Sequence, residues 1–253
     1  MDEAGPGFDT LLDGQLRLRQ PATGHRAGTD AILLAASVAV KAGASVVDAG
    51  AGVGTVGLAL ALREPSARMT LVELSAMAAG LAGENIGLNG LEPRATLVLC
   101  DLLQPKSRRA AGLLDGQADI VVTNPPFYKA GQVRVSANAA RAAAHVLEPG
   151  GLARWIAACL ALLRPGGQFA MIHRPEALAE ILQASEGRMG AITLYPVFPR
   201  AGMAAHRMIV RGKKGSRAPP GILPGLVLHG ADGAFTPEAE AVHRGAALLP
   251  GLG

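Results

Sequence analysis

Residues 124–127 read Asn-Pro-Pro-Phe and follow directly on the apolar run Asp119-Ile-Val-Val-Thr123. Two consecutive prolines remove two backbone donors and fix φ, which leaves the neighbouring carbonyls unpaired and pointing in set directions. An exposed amide, a stiff carbonyl and an aromatic face then meet at one strand end. Such a set holds a planar group bearing an NH2: the Asn124 oxygen and the Pro125 carbonyl accept its two hydrogens while Phe127 stacks on its ring. The same four residues are compatible with a proline turn over a core Phe, and their neighbours decide between the two.

A second chemical element lies upstream. Val46-Val-Asp-Ala-Gly-Ala-Gly-Val-Gly54 runs from a strand pattern into a helix pattern, and Gly50, Gly52 and Gly54 allow a tight turn that a ligand can approach closely. Gly52-Val-Gly54-Thr-Val-Gly57 also satisfies the dinucleotide pattern G-x-G-x-x-G, so the loop alone does not choose a cofactor. Glu73 falls at the end of the second strand, where a carboxylate accepts both hydroxyls of a ribose. Asp48 sits inside the glycine motif, and Asp101 ends the third strand, placed to accept from an adenine amino group. Each acid alone reads as a cap or turn residue; three at successive strand ends form a constellation.

The elements that must position these groups alternate. Residues 45–48, 69–74, 95–100, 119–123 and 168–173 read as strands, and residues 56–63, 75–89, 151–163 and 175–185 as helices. This implies an α/β fold, a doubly wound and mostly parallel sheet covered on both faces. Arg164-Pro-Gly-Gly167 is a stop signal for the helix before it. Residues 192–197 and 205–211, linked through Pro199 and Gly202, suggest an antiparallel pair closing the sheet. Residues 215–225 read as a loop, and residues 226–253 as a hairpin-like addition with a terminal helix or tail. Thr29-Asp30 reads as the N-cap of a helix over residues 31–40. Three segments of one structural domain are expected: 1–44 packing on the cofactor site, 45–215 as catalytic core and 216–253 as extension.

With 253 residues, 49% hydrophobic and 17% charged, the chain is globular in composition and long enough for a full core. The apolar runs 31–40 and 156–163 are too short to span a bilayer, so no membrane association is expected. The acidic start lacks a secretion signal, and Cys100 and Cys159 form neither a metal spacing nor a disulfide framework, which points to the cytoplasm. His145 and His173 have no partner spacing suited to a metal, and none is expected. Trp155 reads as a core residue. The net charge is only +4, yet no Asp or Glu occurs between Gly187 and Ala231, where Arg188, Arg200, Arg207, Arg211, Lys213, Lys214 and Arg217 all fall. Such a tract suits a polyanion or an ordinary solvated loop.

Taken in order, Asp48-x-Gly50-x-Gly52-x-Gly54, Glu73, Asp101 and Asn124-Pro-Pro-Phe127 resemble the class I S-adenosylmethionine-dependent methyltransferases. That resemblance implies a Rossmann-like, seven-stranded sheet with an antiparallel last strand. Residues 17–34, with Gly28-Thr-Asp30 followed by an apolar helix, narrow the likeness to the bacterial tRNA(Val) adenine-N(6) methyltransferase family. The family implies transfer from S-adenosyl-L-methionine, leaving S-adenosyl-L-homocysteine, to the amine of the tRNA adenosine immediately 3' of the anticodon. Carried onto this chain, Asn124, Pro125 and Phe127 are catalytic, and Gly28, Thr29 and Asp30 cover the methionine end of the cofactor. Asp48, Gly50, Gly52, Gly54, Glu73, Leu74, Asp101, Leu102 and Asn124 bind its remainder. Arg134, Arg141, Arg200, Arg207, Arg211, Lys213 and Lys214 are expected to contact RNA phosphates. A protein glutamine N(5)-methyltransferase acting on release factors and an rRNA guanine-N(2) methyltransferase are the alternatives, because both use an Asn-Pro-Pro-aromatic pocket. The oligomeric state is not legible.

Overall fold

The computed structural model describes residues 7–21, 28–125 and 150–252. It opens with an antiparallel hairpin, β1 (Gly7–Leu11) and β2 (Leu16–Gln20), followed by α1 (Thr29–Ala36). Strands and helices then alternate: β3 (Ser45–Ala49), α2 (Thr55–Arg63), β4 (Arg68–Glu73), α3 (Ala76–Leu88), β5 (Ala95–Leu99), α4 (Pro105–Ala110) and β6 (Ala118–Thr123). After the undescribed stretch come α5 (Gly151–Leu162), β7 (Leu163–His173), a 3-10 turn (Pro175–Ala177), α6 (Leu178–Ser185), β8 (Met189–Arg200) and β9 (Arg207–Lys214). Two short strands, β10 (Gly221–Ile222) and β11 (Leu226–His229), and α7 (Pro237–His243) complete the order.

The main sheet runs β10-β8-β9-β7-β6-β3-β4-β5, with β11 also on β8. Among the described strands of this sheet, β9 alone runs against its neighbours, β7 and β8. Winding goes outward in both directions from β3, so the carboxyl ends of β3, β4 and β6 border a crevice where ligands of such sheets bind.

Residue alternation along the buried strands sorts side chains between two cores. Val46, Leu71, Ile120, Val122, Ala170 and Ile172 pack with α1, α2 and α3 on one face. Val47, Val72, Val121, Phe169 and Met171 face the other layer, where Ile156, Cys159 and Leu160 of α5 and Ile181 of α6 meet them. This two-faced burial explains why the parallel strands are apolar throughout rather than alternating with polar residues. Both cysteines are free and buried, and burial pushes the Cys159 thiol up.

Several expectations need correction. The chain before α1 is a hairpin, and α4 was not anticipated. Helix α1 starts at Thr29 with Gly28 as its N-cap and ends at Ala36, so Thr29 and Asp30 are first-turn residues and not the cap. The strand expected at Gln168 begins at Leu163, pairs through Ala118, and bulges out residues 164–167 before resuming at Ile120 and Gln168. The hairpin-like addition expected after residue 226 is the turn in which His229 bridges Phe235 in antiparallel sense, followed by α7, but β10 and β11 themselves were not anticipated as sheet strands and each pair in parallel with β8. Beyond them, Ala239, Val242, Leu249 and Leu252 enter the core beside α1, and the Leu249 N–H donates to the Ala36 carbonyl at 2.9 Å.

Gly225 is the hinge that lets β11 reach β8. Its φ is +84°, and a Cβ there would lie 2.2 Å from the Pro196 carbonyl oxygen. Gly225→Ala should therefore destabilise the protein by about 1–3 kcal/mol, read as a lower urea midpoint. An unchanged midpoint would show that the extension contributes nothing to the cooperative unit.

Candidate active site

The glycine loop between β3 and α2 is fastened from β4. The N–H groups of Gly50 and Ala51 both donate to the Val72 carbonyl at 2.9 Å, and the Gly52 N–H donates to Glu73 Oε2 at 2.8 Å. The other oxygen, Glu73 Oε1, accepts from the N–H of Leu74 at 2.9 Å and of Ser75 at 2.8 Å. Three backbone donors thus orient one carboxylate at the end of β4. Gly52 has φ +57° and open space where a Cβ would stand, a gap that an approaching ligand can fill.

Asp48 lies under the loop, 2% exposed, with Oδ2 accepting from the Gly57 N–H at 2.8 Å. Burial pushes its carboxyl up to about 7; the Gly57 hydrogen bond opposes that rise and the charge of Glu73 adds to it. Asp101 is half-buried at the end of β5. One of its oxygens accepts from the Leu103 N–H at 2.9 Å, and its own N–H donates to Ser107 Oγ at 3.1 Å. Of the two leucines, Leu74 is half-exposed beside Glu73, whereas Leu102 is sealed in the core and offers only a rigid backbone.

The strand end that presents Asn124 is set by two residues with no assigned role in the sequence. Thr123 Oγ1 donates to the Ala49 carbonyl at 2.8 Å and accepts from Trp155 Nε1 at 2.9 Å. Trp155 does pack against the core, as expected, yet its indole also presses on the loop: a Cβ at Gly50, where φ is +74°, would fall 2.8 Å from the ring. Asn124 follows half-buried and Pro125 buried. The aromatic at 127 and the arginines at 134 and 141, expected at the site, lie outside the described residues.

At α1, Asp30 Oδ2 accepts from Arg207 Nε at 2.8 Å, and His243 Nε2 stands 3.4 Å from Thr29 Oγ1. Arg207, expected on RNA, and Asp30, expected on the cofactor, are thus ion-paired with each other. Arg211 is part-buried, with its guanidinium directed at the side-chain oxygen of Gln168, and burial lowers its proton affinity. Lys214 Nζ donates to the Leu163 carbonyl at 2.6 Å and so closes the end of α5. Lys213 is exposed but stands opposite Gln168, near the amino ends of the parallel strands. From Arg207 to Lys213 the antiparallel β9 carries the chain about 20 Å away from the crevice. Of the five cations expected between residues 200 and 214, Arg200 alone is both exposed and at the crevice side, at the carboxyl end of β8.

The family model described as the methyltransferase small domain matches residues 26–159. A tRNA1(Val) (adenine(37)-N6)-methyltransferase from Aeromonas hydrophila is 34% identical over 220 residues, 83% of this chain and 85% of that protein. A release factor glutamine methyltransferase from Chlorobaculum tepidum is 37% identical over 83 residues, 33% of this chain and 27% of that one. Among solved structures, one from Agrobacterium tumefaciens described as a predicted O-methyltransferase superposes with a TM-score of 0.73 at 32% identity, covering 86% of this chain and 97% of that one.

The raised affinity of Asp48 for its proton gives a signed pH effect. The folded protein holds that proton up to about 7 whereas the unfolded chain releases it near 3.8. Folded stability from this group is therefore highest below the lower value, declines between the two, and is flat above. Asp48→Asn, which keeps an acceptor for the Gly57 N–H, should flatten the decline in a urea-unfolding series across that window. An unaltered slope would place the titration elsewhere.

Proposed function

From the premise that this chain belongs to the tRNA1(Val) adenine-N6 methyltransferase family of methyltransferase small domain proteins, we infer that it methylates the exocyclic amine of an adenine in tRNA. The acceptor that fits best is the adenosine at position 37 of tRNA1(Val), as in the name of the Aeromonas hydrophila relative. The observation that carries this reading is Asn124-Pro125 at the end of β6, beside a glycine loop clamped by Glu73.

The residues present fit S-adenosyl-L-methionine. The open space over Gly52 admits a ligand chain, the oriented Glu73 carboxylate retains a lone pair on Oε2 for a ribose hydroxyl, and exposed Leu74 supplies an apolar flank for a purine. Asp101, Asp48 and the Gly28-Thr29-Asp30 turn would complete the enclosure. When bound, this cofactor supplies a methyl group on a positively charged sulfur and leaves as S-adenosyl-L-homocysteine.

The chain's own part is to present the amine. An adenine amino nitrogen has its lone pair delocalised into the ring, which makes it a poor nucleophile. Asn124 Oδ1 and the Pro125 carbonyl accept its two N–H hydrogens, draw the nitrogen toward a tetrahedral shape and aim the lone pair along the line of attack. Orientation of this kind supplies several of the roughly 7–11 kcal/mol available from positioning. The same two oxygens stabilise the positive charge that develops on nitrogen, and one of the two N–H protons then passes to water to leave the neutral methylamine. An amide suits the task because it accepts without removing the proton before attack. An amine acceptor is favoured over an oxygen acceptor, since two carbonyl-type oxygens match two N–H donors.

In this reading residues 45–215 form the cofactor-binding catalytic core, 1–44 cover the cofactor and 216–253 brace that cover through His243 and Thr29. Phe127 stacks on a base drawn out of the folded RNA, and Arg134, Arg141 and Arg200 contact its phosphates. The glutamine alternative is disfavoured because the likeness to that relative covers a third of the chain, against more than four fifths for the tRNA enzyme.

Asn124→Ala should lower kcat for methyl transfer to tRNA by about 10²–10³-fold while the cofactor Kd, from calorimetry, moves only a few fold. Loss of cofactor binding in parallel with activity would assign Asn124 to the cofactor site instead.

A further inference from the structure

Five of the seven cations expected on RNA fall between Arg200 and Lys214, and the fold engages much of that charge elsewhere. Arg207 pairs with Asp30, Lys214 caps a helix, and Lys213 lies on the far side of the sheet. Other arginines are spent in the same way: Arg63 and Arg94 donate to backbone carbonyls, Arg108 reaches a carbonyl and Asp115, and Arg164 pairs with Asp119. A polyanionic substrate needs cations that the fold has left in solvent near the crevice.

Two stand on β2. Along this strand Leu16, Leu18 and Gln20 are buried and Arg17 and Arg19 exposed, so both guanidiniums share the outer face, about 7 Å apart along the chain. Thr10, opposite Arg17 on β1, is exposed as well. Arg17 has no ion-pair partner among the described residues. Arg19 meets Glu84 at 3.6 Å with both side chains about half exposed, a pairing that water and salt screen heavily and that a phosphate can displace.

The strand carrying them is held rigidly against the cofactor loop. Asn89 Oδ1 accepts from the Arg17 N–H at 2.9 Å and its Nδ2 donates to the Arg17 carbonyl at 2.7 Å. One helical turn earlier, Asn85 does the same for Arg19, accepting at 2.6 Å and donating at 3.0 Å. The remaining hydrogen of the fully buried Asn85 amide goes to the Val53 carbonyl, inside the glycine loop, at 2.9 Å. The amides of Asn85 in α3 and of Asn89, its C-cap, thus complete the outer edge of β2 as another strand would. They fix the two arginines relative to Gly52 and Gly54.

We propose that the outer face of β2, through Arg17 and Arg19, is a docking surface for the phosphate backbone of the RNA substrate. It rests on the tRNA reading above and adds a location for the electrostatic contact. The charge is complementary, the mount is rigid, and the chain from Arg17 to Arg19 runs along α3 from Asn89 toward the glycine loop. RNA bound there lies alongside the crevice into which a target base would turn.

The test is a salt series of tRNA binding to the full chain by fluorescence anisotropy, with methyl transfer measured in parallel. The double variant Arg17→Gln/Arg19→Gln should bind tRNA about tenfold more weakly at moderate salt. Its plot of log affinity against log salt should be shallower by about 1.5, since each phosphate contact contributes about 0.7–0.9. Cofactor Kd should not change, and Lys213→Gln should match the wild type in both readings. A double variant with wild-type tRNA affinity and slope overturns the proposal even when the wild type methylates tRNA. Reduced affinity and slope in a protein that binds tRNA but methylates none of its adenines would support the docking face and overturn the proposed reaction.

Discussion

The carboxylate of Glu73 organises the crevice. It collects three backbone N–H groups, from Gly52, Leu74 and Ser75, and so binds the loop after β3 to the turn after β4. Hydrogen bonds to a charged acceptor contribute about 1.5–3 kcal/mol each, enough to hold glycines that would otherwise sample many conformations. The Val72 carbonyl, accepting from Gly50 and Ala51, adds a second seam beside the first. Asp48 beneath the loop pays for its burial with a proton held up to about 7. Both neighbouring carboxylates are buried, but they differ in role: Glu73 is oriented by three donors at the end of β4, and Asp48 lies beneath the loop with one.

That clamp gives the acceptor side its reference frame. β3 and β6 are neighbours in register, with Ala49 opposite Thr123, so a side chain one residue beyond Thr123 stands next to the glycine loop. Thr123 bridges the two strand ends, and Trp155 reaches from α5 both to Thr123 and to the space over Gly50. A donor loop and an acceptor amide that must meet within bonding distance are therefore built on adjacent strands of a buried sheet rather than on independent loops. Each expected contact between methyl donor and amine follows from this adjacency.

Much of the scaffold was legible because buried parallel strands write continuous apolar runs and because glycines and acids fall at their ends. The hairpin was not legible. Its outer edge is completed by Asn85 and Asn89 of a helix, so no third strand pattern announces it; two asparagines four apart in a helix were the available signal. The spatial spread of the basic tract was not legible for a related reason: charge counts run along the chain, whereas the antiparallel β9 carries Lys213 and Lys214 to the opposite end of the sheet from Arg207. The C-terminal strands were obscured by length, since β10 has two residues and β11 four, too few for a period to show. Trp155 was read correctly as packed, but its indole N–H, which links α5 to the end of β6, has no signature in sequence spacing.

The central claim is that Asn124 and Pro125 present the amine of an adenine, and the identity of the methylated group tests it most directly. Labelled methyl from S-adenosyl-L-methionine would be offered with total tRNA, total rRNA and a release-factor protein, and the labelled product digested and resolved by chromatography and mass spectrometry. The account predicts N6-methyladenosine in tRNA as the product. Label confined to protein, or recovered as methylguanosine, would contradict it.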